Sequence, residues 1–205
     1  MNLLLLTSVL ATPNWINMSP GIDYATYENS LPATIHVMRV NLCMPGMRVR
    51  ATAEADKGQR TLAWASSVGA NAAINGGFFK WGSYDPDGVA AGYGSVWQSS
   101  NDIFERAQVI FSEHQLTFVP AGQVVALPSW AEEAVNGDAH LVNAGAVVDH
   151  GGTRRNRCAL GFDAGKSQLF LMVAERHSTS TGLTYLEEAQ EMAALGVHTA
   201  VNLDG

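Results

Sequence analysis

Two stretches of this chain end alike. Residues 69–75 read Gly-x-x-x-Ala-Ile-Asn and residues 196–202 read Gly-x-x-x-Ala-Val-Asn, so Asn75 and Asn202 each close a short apolar run at the same distance from a glycine. Gly76-Gly77 follows the first, and Leu203-Asp204-Gly205 follows the second. Polar side chains at the carboxyl end of a strand, next to glycine, can face a ligand while the strand behind them stays in the core. The plainer alternative is chance recurrence in a chain with 20 glycines. Between these stretches, Arg157 and Glu175-Arg176-His177 stand at the open ends of two apolar runs. A cation and a carboxylate there either line a cleft for a phosphorylated or acidic ligand or form a structural ion pair, and spacing alone leaves both open. Arg154, Arg155 and Arg157 lie within four positions and read as an anion site or a solvated loop.

The elements that must position these residues can be read locally. Thr184 and Glu187 have capping-box spacing, which predicts a helix start there. Leu186, Ala189, Met192, Ala193 and Leu195 form a buried stripe, and Gly196 is placed to end the helix in a left-handed cap. A strand over residues 197–203 follows. Residues 60–68 read as a shorter helix stopped by Gly69, with a strand over residues 71–74. Residues 157–162 and 168–174 are apolar on both faces and flank the turn sequence Asp163-Ala164-Gly165-Lys166-Ser167, which predicts a hairpin in the middle of a sheet. Further strands are expected over residues 34–42 and 47–52 as a hairpin, over 107–111 and 115–119 as another, and over 141–145 and 147–149. A short helix is expected over residues 130–135, and residues 15–27 read as a lead-in segment. The segment 80–94 is too rich in Gly, Asp and Pro for regular structure and suits a substrate-shaping loop. Its Asp85 and Asp87 lack a glutamate at calcium-loop spacing and read as a turn. His36 is expected on a polar strand face.

At 205 residues, 47% hydrophobic and 15% charged, the chain is expected to form one domain with a sizeable core. Its net charge of −7 argues against a surface that works by neutralising nucleic-acid phosphates. Cys43 and Cys158 either pair, if their strands are neighbours, or remain two thiols. Residues 1–14 read as a signal-peptide remnant or a disordered start. The leucines of residues 3–6 belong to a stretch too short to span a bilayer, so no stable membrane insertion is expected and an extracellular, periplasmic or cell-envelope location is favoured. No His, Cys or carboxylate spacing makes a metal site, and no cofactor is expected.

Taken in order, Asn75-Gly76-Gly77-Phe78-Phe79, Arg157-Cys158-Ala159-Leu160-Gly161, a strand ending in an acid, Ser180-x-Gly182-Leu183-Thr184 and Ala200-Val201-Asn202-Leu203-Asp204-Gly205 resemble the phosphodiester glycosidase family over residues 34–205. The resemblance implies an α+β fold, a mixed and largely antiparallel β-sheet with two helix–Gly–strand units packed on it. It further implies hydrolysis of a sugar joined through its anomeric carbon to a phosphodiester, with a phosphorylated carbohydrate as substrate. The chain differs from the family where Glu175-Arg176-His177 replaces Asp-Gly-Arg and where Cys158 replaces threonine. The family pattern also continues past the last glycine of this sequence, so residues 15–205 are expected to be a single domain missing its C-terminal segment.

On that resemblance Arg157 is expected to hold the phosphate through its two-pronged guanidinium, helped by the N–H groups of Gly76 and Gly77. Glu175 and Asp204 are the expected nucleophile or base. Asn75 and Asn202 suit the sugar's hydroxyl or N-acetyl groups, and Ser180 belongs to the same substrate-binding set. His177 stands where the family has arginine, as a phosphate donor or an acid. The alternatives are a non-catalytic cell-envelope module binding glycans or phosphopolymers, and a phosphodiesterase cutting P–O.

Overall fold

The computed structural model describes residues 12–100, 105–123 and 126–205. The expectation for the first eleven residues lies outside the described residues. In chain order the first strands are β1 (Ile16–Ser19), β2 (Ile22–Glu28) and β3 (Thr34–Asn41), followed by helix α1 (Thr61–Val68). Next come β4 (Ala91–Gly92), β5 (Ser95–Val96), β6 (Ala107–Phe111), β7 (Leu116–Val119), β8 (Glu133–Gly137), β9 (His140–Asn143) and β10 (Ala146–Val147). The chain closes with β11 (Arg157–Phe162), β12 (Gln168–Ala174), β13 (Arg176–His177), β14 (Ser180–Thr181), helix α2 (Tyr185–Ala194) and β15 (Thr199–Leu203).

Eight strands form the main sheet in the order β1-β2-β3-β12-β11-β15-β9-β10, and five form a second sheet in the order β5-β4-β8-β6-β7. Every neighbouring pair described is antiparallel. The hairpin β11–β12 occupies the centre, as strands apolar on both faces require. Its turn is held by Asp163, whose carboxylate accepts from the backbone N–H of Ser167 at 2.7 Å and of Gln168 at 2.8 Å.

One face of the main sheet is sealed by α2. Met192 and Ala189 from the helix pack there with Ile35, Val37, Ala159 and Met172. Thr184 and Glu187 complete a reciprocal capping box at the helix start, and Gly196, at φ +84°, turns the chain into β15. Gly161 lets the helix end approach: a Cβ on it would lie 2.6 Å from Val197 Cγ1 and 2.7 Å from Met192 Cε. The other face carries the second core, where Val109 and Phe111 of the second sheet meet Leu160, Phe162, Leu169 and Leu203.

Several expected elements take another form. Residues 47–52 are not a strand, and β3 pairs instead with β2, drawn from the lead-in segment, and with β12. Residues 71–74 are irregular, although Ala72 and Ile74 still pack on the second core. The helix expected over residues 130–135 gives way to β8, because Glu133 is drawn inside as an acceptor for Arg50 at 2.8 Å and for the N–H of Ala51 at 2.9 Å. β8 then pairs antiparallel along β6. Cys43 is exposed and Cys158 buried, and both are free. No helix among the described residues is long and apolar enough to cross a membrane.

Candidate functional site

The register of the three central strands decides which candidates meet. Arg157 opens β11 opposite Ala174, and Cys158 lies opposite Leu203. Glu175 and Asp204 each follow those partners by one residue, so the backbones of Arg157, Glu175 and Asp204 share one end of β12, β11 and β15. The turn after the irregular segment 71–74 joins them: the Asp204 N–H donates to the Gly76 carbonyl at 3.1 Å. That bond ties the two asparagine-tipped stretches together. The N–H groups of Gly76 and Gly77 have no acceptor among the described residues. Gly77 has no room for a side chain, since a Cβ would fall 2.2 Å from the carbonyl oxygen of Asn136.

The side chains then part. Arg157 is buried on the α2 side, where Nε donates to the Leu183 carbonyl at 3.1 Å and Nη2 to the Thr153 carbonyl at 3.0 Å. Its guanidinium lies 3.7 Å from the centre of the Tyr185 ring, a cation–π contact, and Nε is 4.0 Å from Glu188 Oε2. Glu175 goes the other way. Its carboxylate faces His36 Nε2 at 3.4 Å and His177 Nε2 at 3.1 Å. His36 opposes Val173, which packs on the second core, whereas Arg157 opposes Ala174 on the first. The expected Arg157–Glu175 juxtaposition therefore holds for the strand ends but not for the side chains. His177 is exposed on the short β13–β14 hairpin, and Nδ1 is 3.2 Å from Thr179 Oγ1. Ser180 spends its hydroxyl on backbone, donating to the Glu175 carbonyl and accepting from the Thr34 N–H.

Asp204 is half-buried. Burial lifts its carboxyl above the ordinary aspartate range, and the positive charge of Arg106 only partly offsets this. Arg106 also pairs with Asp138, and Asp138 accepts the Tyr185 hydroxyl at 3.0 Å. A chain of polar contacts thus runs from Arg106 through Asp138 and Tyr185 to Arg157 and Glu188. Glu188 is fully buried and neither oxygen has a hydrogen-bond partner among the described residues; burial raises its carboxyl well above the usual range despite Arg157. Asn202 is also buried, with neither amide atom partnered among the described residues, while Asn75 is half-buried. Burial, reinforced by Glu188 and Asp204, pushes the Cys158 thiol up to about 12, which removes it as a thiolate nucleophile at neutral pH.

Sequence reasoning missed Arg106, Asp138, Tyr185 and Glu188. Tyr185 and Glu188 sit inside the capping-box helix, where a polar residue on the buried stripe was the available signal. Arg106 and Asp138 flank β6 and β8 and had no local signature. No group of three His, Cys, Asp or Glu among the described residues is placed to hold a metal ion.

A family model described as phosphodiester glycosidase matches residues 68–205. No curated protein matches the sequence. In fold, the chain is similar to a hypothetical protein from Synechocystis with a TM-score of 0.75 and 16% identity over 96% of this chain. It spans 58% of that protein's length. It is also similar to the catalytic domain of zebrafish N-acetylglucosamine-1-phosphodiester alpha-N-acetylglucosaminidase, solved auto-inhibited by its pro-peptide, with a TM-score of 0.63 and 15% identity over 97% of this chain and 75% of that one. At such identities the likeness is one of fold.

Proposed function

Because the chain belongs to the phosphodiester glycosidase family, we propose that it hydrolyses the glycosidic bond of a sugar-1-phosphodiester, releasing free sugar and a phosphomonoester. The observation that carries this reading is the Asp204 N–H bond to Gly76, which joins the two asparagine-tipped stretches beside the start of β11.

In this reading water adds to the anomeric carbon, the bond from that carbon to the phosphate oxygen breaks, and the phosphate departs with the bonding electrons. A phosphate is a good leaving group, so the protein's main tasks are to hold it and to supply a carboxylate. The N–H groups of Gly76 and Gly77, without an acceptor among the described residues, form one anion cradle. Arg157 is assigned to the same phosphate: two of its five N–H donors go to backbone carbonyls, which leaves the others for oxygen. Asp204 is assigned as nucleophile or base, and burial raises its affinity for a proton. Glu175 is the second carboxylate of the pair, with His177 beside it as a phosphate donor or acid. Asn75 and Asn202 are assigned to the sugar; the unpartnered buried amide of Asn202 supports this, since such groups normally find a partner.

Hydrolysis in ¹⁸O-labelled water tests the reading. Label is expected in the sugar. Label in the phosphate would indicate P–O cleavage instead, and no turnover with retained binding would indicate a glycan- or phosphopolymer-binding module. The outward turn of Glu175, away from Arg157, is the observation that keeps the binding module in view.

A further inference from the structure

Asn75, Gly76 and Gly77 also border a groove of about 970 Å³. Its floor is the second-core face of the main sheet, where Leu171 lies half-buried over the buried Val40, Leu160, Leu169 and Leu203, and Trp64 and Ile74 form a wall. This is at the upper end of the roughly 300–1,000 Å³ typical of small-molecule sites. A sugar hydroxyl placed against such a floor would find no hydrogen-bond partner there. The rim is apolar too: Val68, Phe79, Tyr84 and Tyr93 line the groove and are exposed. An apolar groove edged by exposed apolar side chains marks a surface that meets an apolar ligand.

The charge around the groove is lopsided. Arg48, Arg50, Lys57 and Arg60 line it against a single acid, Asp56, although the whole chain carries a net charge of −7. Three of the cations are engaged: Arg48 with Glu113 at 3.2 Å, Arg50 with Glu133 at 2.8 Å and Lys57 with Asp85 at 2.8 Å. Asp56 accepts from the Gln59 side chain at 3.1 Å. Arg60, exposed at the start of α1, has no side-chain hydrogen bond or ion pair with any described residue. An apolar trough with one uncommitted cation at its rim fits a hydrocarbon chain bearing an anionic head.

We propose that this groove receives the hydrocarbon chain of the substrate, so that the phosphodiester joins the sugar to an alkyl or isoprenoid alcohol, with Gly76 and Gly77, assigned above to the phosphate, at the groove's border and the uncommitted Arg60 adding positive charge along its rim. The sugar's place rests on the glycosidase reading; the occupancy of the groove does not.

The test is a titration of the full chain with dodecyl phosphate below its critical micelle concentration, followed by tryptophan fluorescence, since Trp64 and Trp97 both line the groove. A saturable change is expected, with inorganic phosphate giving none. Arg60→Glu, an exposed substitution, is expected to weaken binding about tenfold through the reversed charge at the rim. Leu171→Trp, which fills the floor, is expected to abolish it. Absence of a saturable signal, equal affinity in Arg60→Glu, or equal response to inorganic phosphate overturns the proposal. So does a ligand-free dimer that dodecyl phosphate fails to dissociate, which would place a second copy in the groove. The two readings also fail separately. A chain that binds dodecyl phosphate but releases no sugar keeps the groove and refutes hydrolysis. Cleavage of a methyl phosphodiester as efficiently as a dodecyl one keeps hydrolysis and refutes the groove.

Discussion

The two faces of the central hairpin β11–β12 are made from the same apolar strands and are finished in opposite ways. On one, α2 seals the sheet over polar groups: Arg157 and Asn202 are buried beneath it and Glu188 on its inner side. On the other, the second sheet packs Val109 and Phe111 against the leucines, and irregular chain beside it leaves a groove over Leu171. The difference follows from what covers each face. A capped helix supplies Ala189 and Met192 in register with the sheet, and its close approach over Gly161 leaves no volume for solvent. The segments 46–61 and 68–79, which border the groove, contain α1's ends and turns rather than a strand, so they cannot lie flat on the pleat. Asp204 and Gly76 sit at the seam between the two faces.

The largest expected effect is at that seam. Asp204→Asn should lower sugar release by about 10³-fold, within the range for a lost acid or base, while the circular dichroism spectrum is unchanged. Glu175→Gln should cost about tenfold to a hundredfold, less than Asp204→Asn, because Glu175 lies on the far side of the strand end from Arg157. Equal turnover to wild type in either variant would remove that carboxylate from the chemistry.

A second pair of variants measures the faces directly by urea unfolding. Met192→Ala, on the sealed face, should cost about 2–5 kcal/mol. Leu171→Ala, half-exposed over the groove, should cost less, about 1–2 kcal/mol, because it vacates space that is already open. Equal losses would mean that the groove is as well filled as the helix face.

Glu188→Gln sharpens the electrostatic side of the contrast. Burial raises the Glu188 carboxyl in the folded chain, so Glu188 favours folding below the unfolded-state value and loses that contribution as pH rises through the folded value. Glu188→Gln should therefore raise the melting temperature by a few degrees at neutral pH, and the two chains should converge near pH 4. A lower melting temperature at pH 7 would show that attraction to Arg157 outweighs burial. The smallest effect is expected for Thr184→Ala, which removes half of the capping box and should cost about 1 kcal/mol.

What was legible in the sequence was local. The capping box at Thr184 and Glu187, the left-handed Gly196 and the hairpin turned by Asp163 each depend on residues within a few positions of one another. The pairing of β2 with β3 and the strand β8 in place of the helix expected over residues 130–135 were not legible: the first rests on a register running from Ile22–Val40 to Glu28–Thr34, and the second involves Arg50, 83 positions from Glu133. Of the candidate site residues, Asn75 and Asn202 could be paired from their repeated spacing, with Gly76, Gly77 and Asp204 as their sequence neighbours. That Arg157 would turn under α2 while Glu175 turned to His36 and His177 followed only from strand register.

The sequence by itself determined family membership, the central hairpin, the terminal helix and the residue types available to a site, since motif spacing and turn chemistry act over short range. The tertiary structure alone decided which side of the sheet each charge faces, which carboxyl is lifted by burial and where apolar surface is left open. Those outcomes depend on the alternation of side chains across paired strands, and a shift of one residue in register would send every one of them to the opposite face.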